Sequence, residues 1–249
     1  MSQPQARIDP MVLMTLALVY FAAGKLGLML AFVNPSATAI WPPAGIALAA
    51  FLFRGYAAWP GVLLGAFLVN MVTAGGAGTS IGIAIGNTLE GLAGAYLVNR
   101  FAGGVGAFDR PRNVFKYVIL AAMTSTTISA TLGVTSLLCG GLASWSGLGS
   151  VWLTWWLGDL GGDLIVAPLL ILWGRERTIE LSRKEALEAG LLLLLILGVG
   201  HTVFGGLASD RPADFPLAFL SIPLLLWPAF RFSQRETASA SFALAGIAI

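Results

Sequence analysis

Residues 151–177 read VWLTWWLGDLGGDLIVAPLLILWGRER. No basic residue interrupts the run from Val151 to Trp173, and Arg175 and Arg177 follow at once. An uncharged helix of roughly 20 residues crosses a hydrocarbon core. The stretch therefore reads as a membrane span whose inner end is marked by arginine. Two acids, Asp159 and Asp163, lie inside it. A charge at that depth costs about 2.5–3.5 kcal/mol on insertion scales and faces the protein interior or a cavity rather than lipid.

Working outward, the same reading divides the chain into about eight spans. They cover roughly residues 11–33, 42–53, 58–73, 81–98, 114–138, 151–173, 189–207 and 216–230, with the start of a further one at Thr237–Ile249. Arg7, Arg54, Arg100, Arg110, Arg112, Lys116, Arg175, Arg177, Arg183, Lys184, Arg231 and Arg235 then fall on one side of the membrane. Arg211 alone falls on the other. Loops that are not translocated keep their Lys and Arg, so this sorting predicts a cytoplasmic N-terminus. The first run is too long and too poorly flanked to be a cleaved signal peptide and is read as a helix.

Composition agrees. The chain has 249 residues, of which 57% are hydrophobic and 10% charged, against about 25% charged in a soluble domain. The net charge of +2 belongs to short loops and gives no nucleic-acid face. The single cysteine, Cys139, excludes an internal disulfide. The expected fold class is an all-α polytopic transmembrane helical bundle. The expected organisation is one integral-membrane domain over 1–249. Its last apolar stretch is too short to cross, so continuation into a further segment is expected.

Lys25, Glu90, Asp159 and Asp163 fall near the expected midplane, at depths that overlap at about 1.5 Å per residue. A shared polar cluster is the expectation. Asp159 and Asp163 are four apart and so share a helical face; protonation, Lys25 or a bound cation would offset their repulsion. Trp155 shares the face of Asp159, Trp156 lies in the same turn, and Trp41 stands in the outer segment before Pro42. An aromatic wall beside a carboxylate suits a cationic or amphipathic ligand. Asn87 precedes Glu90 by one turn, and Asn70 adds an amide. The competing structural reading is that these groups bond to one another and pin the helices, while tryptophans anchor the interface. The hydroxyls from Thr124 to Thr131 are expected to bond back to their own helix. Glycines four apart (61/65, 82/86, 158/162) are expected to pack helices closely. His201, the only histidine, cannot make a metal site alone, and no cofactor, metal or catalytic motif is evident.

Taken together, Ile40–Leu48 (IWPPAGIAL), Asn87–Glu90 (NTLE), Ile128–Gly133 (ISATLG) and Trp155–Asp159 (WWLGD), with Gly162 and Pro168 behind, resemble the membrane-associated sensor (MASE) family, first type. Trp41, Pro42, Gly45, Glu90, Ser129, Trp155, Trp156, Asp159, Gly162 and Pro168 match its characteristic positions; Asp163 departs, where an apolar residue is expected. The resemblance implies a sensory module of the bacterial inner membrane, without catalysis of its own. It implies a cytoplasmic histidine kinase or cyclic-di-GMP turnover enzyme downstream, and a homodimer. A small molecule or a membrane protein partner would be sensed near Trp41, Asn87, Glu90, Ser129, Trp155, Trp156 and Asp159. Pro42, Gly45, Gly162 and Pro168 would serve helix packing. The rival reading is an ion-coupled transporter or channel, which also uses buried acids and broken helices. An intramembrane enzyme would need a nucleophile or metal set that the sequence lacks.

Overall fold

The computed structural model describes residues 9–29, 31–38, 40–73, 76–176, 182–204 and 217–248, with the side chains of 31–34, 217 and 218 left aside. Arg7, Arg177, Glu180, Arg211 and the expected start of the eighth span at Pro216 lie outside the described residues. The chain divides into two units, residues 1–168 and 169–249.

In the first unit, α1 (Pro10–Leu28) starts at an Asp9 cap whose carboxylate accepts from Met11 N–H. After it comes a short antiparallel hairpin, β1 (Ala31–Asn34) with β2 (Ala37–Thr38). Then follow α2 (Pro42–Arg54), α3 (Trp59–Met71) and α4 (Ala77–Leu97), the last continuing as a π-helical turn, Val98–Ala102. α5 (Pro111–Tyr117) runs through a wide π segment, Val118–Ser125, into α6 (Thr126–Cys139). α7 (Leu148–Gly161) passes through a π turn, Gly162–Val166, into α8 (Ala167–Arg175). α4 is the centre of this unit: α2, α3 and α6 flank it, α1 packs on α2 and α3, and α7 packs on α2 and α6.

Among the described residues, five continuous helices are long and apolar enough to cross a membrane: 10–28, 77–102, 111–139, 145–175 and 183–204. The expected second and third spans are the shorter apolar helices Pro42–Arg54 and Tyr56–Met71. Thirteen residues give α2 a length of only about 20 Å, against a core of about 30 Å. The described helices therefore do not confirm the count of about eight spans. The first span also ends earlier than expected, at Leu28 rather than Val33, because the hairpin takes the following residues. Thr38 Oγ1 donates to Gly27 O at 2.9 Å and so satisfies a carbonyl that the end of α1 leaves open.

Small residues set the close approaches. Gly61 and Gly65 face Leu16, Ala17 and Tyr20 of α1; Gly82 and Gly86 face Ser136 and Leu132 of α6; Gly158 and Gly162 face the backbone at Thr38 and Trp41. Gly45 lies against Gly162 O, and a Cβ there would stand 2.7 Å from Ala167 N. Backbone thus meets backbone where α2 crosses the π turn, with no room for a side chain. Pro42 occupies the first turn of α2, where its missing N–H costs nothing.

Pro168 and the π turn explain each other. In an i→i−5 register the N–H of residue 168 would reach Asp163 O, just as Ala167 N–H reaches Gly162 O. Proline has no N–H to give. The buried Tyr117 hydroxyl donates to Asp163 O instead, at 2.6 Å.

The second unit contains α9 (Arg183–Phe204), α10 (Ser221–Arg231) and α11 (Gln234–Ala248). Leu192, Ile196, Leu224, Ala240 and Leu244 form its core. α9 starts before the expected Ala189, because Ser182 and Glu185 cap it reciprocally (Ser182 N to Glu185 Oε2, 2.8 Å; Glu185 N to Ser182 Oγ, 3.3 Å). Before α11 the cap is different: Ser233 N–H (3.1 Å) and the Ser233 hydroxyl both donate to Glu236 Oε2, and Ser233 Oγ accepts from Arg235 N–H at 3.3 Å. Glu188 accepts two bonds from Arg231, each 2.9 Å, and one from Trp227 Nε1 at 2.8 Å. Arg235 lies over the Trp173 ring at 4.9 Å. His201 is exposed on α9.

Candidate functional site

α4 carries Asn87 and Glu90 inward, α6 carries Ser129, and α7 carries Trp155 and Asp159; all five are buried. Ser129 departs from the expected back-bonding of its hydroxyl-rich stretch, as does Thr131, which accepts from Trp152 Nε1 at 3.2 Å. Thr124, Ser125, Thr126 and Thr127 bond back to carbonyls of their own helix, as expected. Ser129 instead donates to Asn87 Oδ1 at 2.6 Å and accepts from Trp155 Nε1 at 3.0 Å. A directional chain, Trp155 to Ser129 to Asn87, therefore ties α7, α6 and α4 together. Gly133 makes room for the indole: a Cβ there would stand 2.6 Å from Trp155 Cζ2.

The chain borders a cavity lined by Ser36, Ala37, Thr38, Trp41, Asn70, Asn87, Trp155 and Asp159, with about 260 Å³ of empty space, mouth included. The enclosed cavity itself measures about 10 Å³, about the room one water molecule needs, so it suits a water-scale occupant. Trp41 closes one wall. Its N–H donates to Gly158 O at 2.8 Å, and its ring meets the Tyr20 ring edge-on at 6.4 Å and 77°.

Asp159 is completely buried, and neither carboxylate oxygen finds a well-formed donor, although Ser129, Trp155 and Glu90 stand beside it. Asn87 Nδ2, the Tyr20 hydroxyl and Asp163 Oδ1 are likewise buried without a partner. Unmet groups of this kind cost about 1–3 kcal/mol each. Natural proteins keep them where something else uses them.

Glu90, Asp159 and Asp163 lie within electrostatic reach of one another, so acids from separate helices do converge. Three parts of the expectation need correction. Lys25 sits in the last turn of α1, partly exposed, and donates to Thr73 Oγ1 at 3.3 Å; it is not among the groups that act on the acids. Trp156 points elsewhere: its Nε1 donates to Met123 O at 3.0 Å, and it stacks on Trp152 at 6.1 Å and 10°. Asp163 does not line the cavity with Asp159, because it lies beyond the start of the π turn, which shifts the helical phase. Among the described residues, no group of three or more His, Cys, Asp or Glu is arranged to hold a metal ion.

The profile of one protein family, MASE1, matches residues 12–249. The chain belongs to the MASE1 family. MASE1 is a membrane-associated sensory domain of signalling proteins, an input domain rather than a catalytic one. No curated protein and no solved structure matches the chain. Around this MASE1 cavity the sequence reading missed Tyr20, Ser36 and Thr38. Tyr20 carried one signal: with Ala17, Gly24 and Gly27 it forms the buried stripe of α1 at three- and four-residue spacing. Ser36 and Thr38 carried none, since they belong to a hairpin placed by the helices around it.

Proposed function

We propose that this chain is the input module of a bacterial inner-membrane signalling protein with a cytoplasmic N-terminus. Its output unit is a histidine kinase or a cyclic-di-GMP turnover enzyme, working as a homodimer. The stimulus, a small molecule or a membrane protein partner, registers at the cavity bounded by Trp41, Asn87, Trp155 and Asp159. α9 to α11 pass the change to the cytoplasm.

One observation carries this reading: the buried relay from Trp155 through Ser129 to Asn87. A stimulus can shift a conformational equilibrium only by bonding differently to the two states. A relay spanning three helices and bordering a cavity has that property, because an occupant that competes for Asn87 or Asp159 alters how α4, α6 and α7 hold together. The same buried acids would serve an ion-coupled carrier, but a sensory family membership favours reception.

The test uses the full-length protein in its own membrane, with output activity as readout. Trp155→Phe and Asn87→Leu each remove one relay bond, worth about 1 kcal/mol, which moves a two-state ratio about fivefold. Basal output of both variants is expected to shift by about that factor at unchanged membrane abundance. Unchanged output in both, at normal abundance, overturns the assignment. Solute or ion flux in proteoliposomes would replace it with the carrier reading.

A further inference from the structure

We propose that Glu90 of α4 and Asp159 of α7 share a proton, and that this proton is a ligand of the input site. The inference rests on the sensory reading of the cavity and names what one of its ligands is.

The argument starts from two carboxyl groups on different helices. The Glu90 and Asp159 carboxyls lie close to one another, and neither Asp159 oxygen has a hydrogen-bond partner. Both are buried, at 2% and 0% exposure. Carboxylates are acceptors only, so a contact between two of them becomes a hydrogen bond only when one carries a proton. Ionised together in a low-dielectric interior they would repel, and such a pair shares one proton.

The surroundings supply no alternative compensation. The titratable groups facing the pair are Tyr20 from α1 and Asp163 from the π turn after α7. Tyr117, beside Asp163, is committed through its hydroxyl to Asp163 O. α2 contributes Trp41 and α6 contributes Ser129, neither of which titrates. No Lys, Arg or His is among the described groups that act on the acids, and they are not arranged to chelate a metal ion.

A second observation points into the same place. The Tyr20 hydroxyl, fully buried, lies beside Trp41 and Asn87 without a well-formed bond to either, within electrostatic reach of Glu90 and Asp159. Asn87 Nδ2, also buried and unpartnered, borders the cavity that Asp159 lines. The Asn87 amide and Asp159 thus border a space of water size. One water there can bond Asn87 and Asp159 and carry a proton from the pair toward the other lining residues, Ser36, Thr38 and Asn70. Loss of the proton leaves two negative charges between α4 and α7, which drives those helices apart against the Trp155–Ser129–Asn87 chain. The proton is bound and released as such; no other bond is made or broken.

The experiment is carboxyl-stretch infrared spectroscopy of the full-length protein in lipid nanodiscs, titrated with pH, alongside output activity over the same pH range. Wild type is expected to show one protonated buried carboxyl at neutral pH that disappears as pH rises, with output following the same titration. Glu90→Gln keeps a donor toward Asp159 without a titrating proton; it should abolish that band and flatten the pH dependence of output. Asp163→Asn should leave the band in place. Absence of the band from wild type overturns the shared proton, and this reading does not depend on any variant folding. A band that survives both Glu90→Gln and Asp159→Asn also overturns it. A band that behaves as expected while output ignores pH and both relay variants keeps the proton and removes the input-site reading. The reverse, relay variants that shift output with no band, keeps the site and removes the proton.

Discussion

The two units of this chain treat polar groups in opposite ways. The first buries Asn70, Thr79, Ser80, Asn87, Thr88, Glu90, Ser125, Thr126, Ser129, Asp159 and Asp163. In the second, Arg235 is the one buried polar residue among those described, and the core is aliphatic. Its charges sit at helix ends: Glu188 with Arg231, and Arg235 over Trp173 and on Glu176 O at 3.1 Å. Both units have apolar helices, so crossing a membrane does not require the difference. Burying unmet polar groups lowers stability; the first unit does so, at Asn87 and Asp159 beside the cavity and at Tyr20, Ser80 and Asp163 outside its lining, while the described residues of the second do not. The comparison teaches where to look for chemistry: where a helix bundle spends stability that its neighbour keeps.

That contrast can be broken experimentally, and the largest effect should come from the first unit's interior. Trp155→Ala empties the indole's place against Gly133 and strands Ser129. It is expected to destabilise by about 3–5 kcal/mol, measured by thermal unfolding in detergent micelles. A loss below about 1 kcal/mol would mean that the site repacks freely.

Gly162→Ala is next. The added methyl would meet Trp41 O, and overpacking backbone against backbone is expected to cost about 1–3 kcal/mol. The same assay reads it, and a neutral result would show that α2 and the π turn do not approach as closely as described.

The third sharpens the account of the π turn. Tyr117→Phe orphans Asp163 O and should cost about 1–3 kcal/mol. Pro168→Ala restores an N–H at the position that the π register directs to that carbonyl. The double variant Tyr117→Phe/Pro168→Ala is therefore expected to recover part of the loss, a coupling visible in a double-mutant cycle. Strict additivity would detach Tyr117 from Pro168.

The smallest effect belongs to the second unit. Arg231→Gln breaks a pair whose arginine side chain is 61% exposed, and solvent-exposed pairs contribute little. The unfolding midpoint is expected not to move measurably. A clear drop would show that the second unit depends on charge as the first does.

Legibility followed the same division. Long apolar runs such as 77–102, 111–139 and 145–175 announce helices whatever their neighbours do. Runs of the length of Pro42–Arg54 do not say whether they cross. The hairpin at 31–38 was missed because Ala31–Val33 continue the apolar run of the helix before them and its strands are only four and two residues long. Lys25 was misplaced for that reason: its depth was counted on a helix that ends at Leu28. Trp155 and Trp156 are neighbours in sequence, yet a turn of about 100° per residue sends one to Ser129 and the other to Met123.

The sequence alone determined that this is a membrane protein built of helices, which residue types its interior must shelter, and which family it resembles. It did so because hydrophobic length and the cost of buried charge are local properties. Which acids meet, which tryptophan faces the cavity, and that Tyr20 and Tyr117 serve the interior were decided by tertiary structure. Those facts depend on how far each helix runs, where π turns shift its phase, and which backbones glycine lets touch.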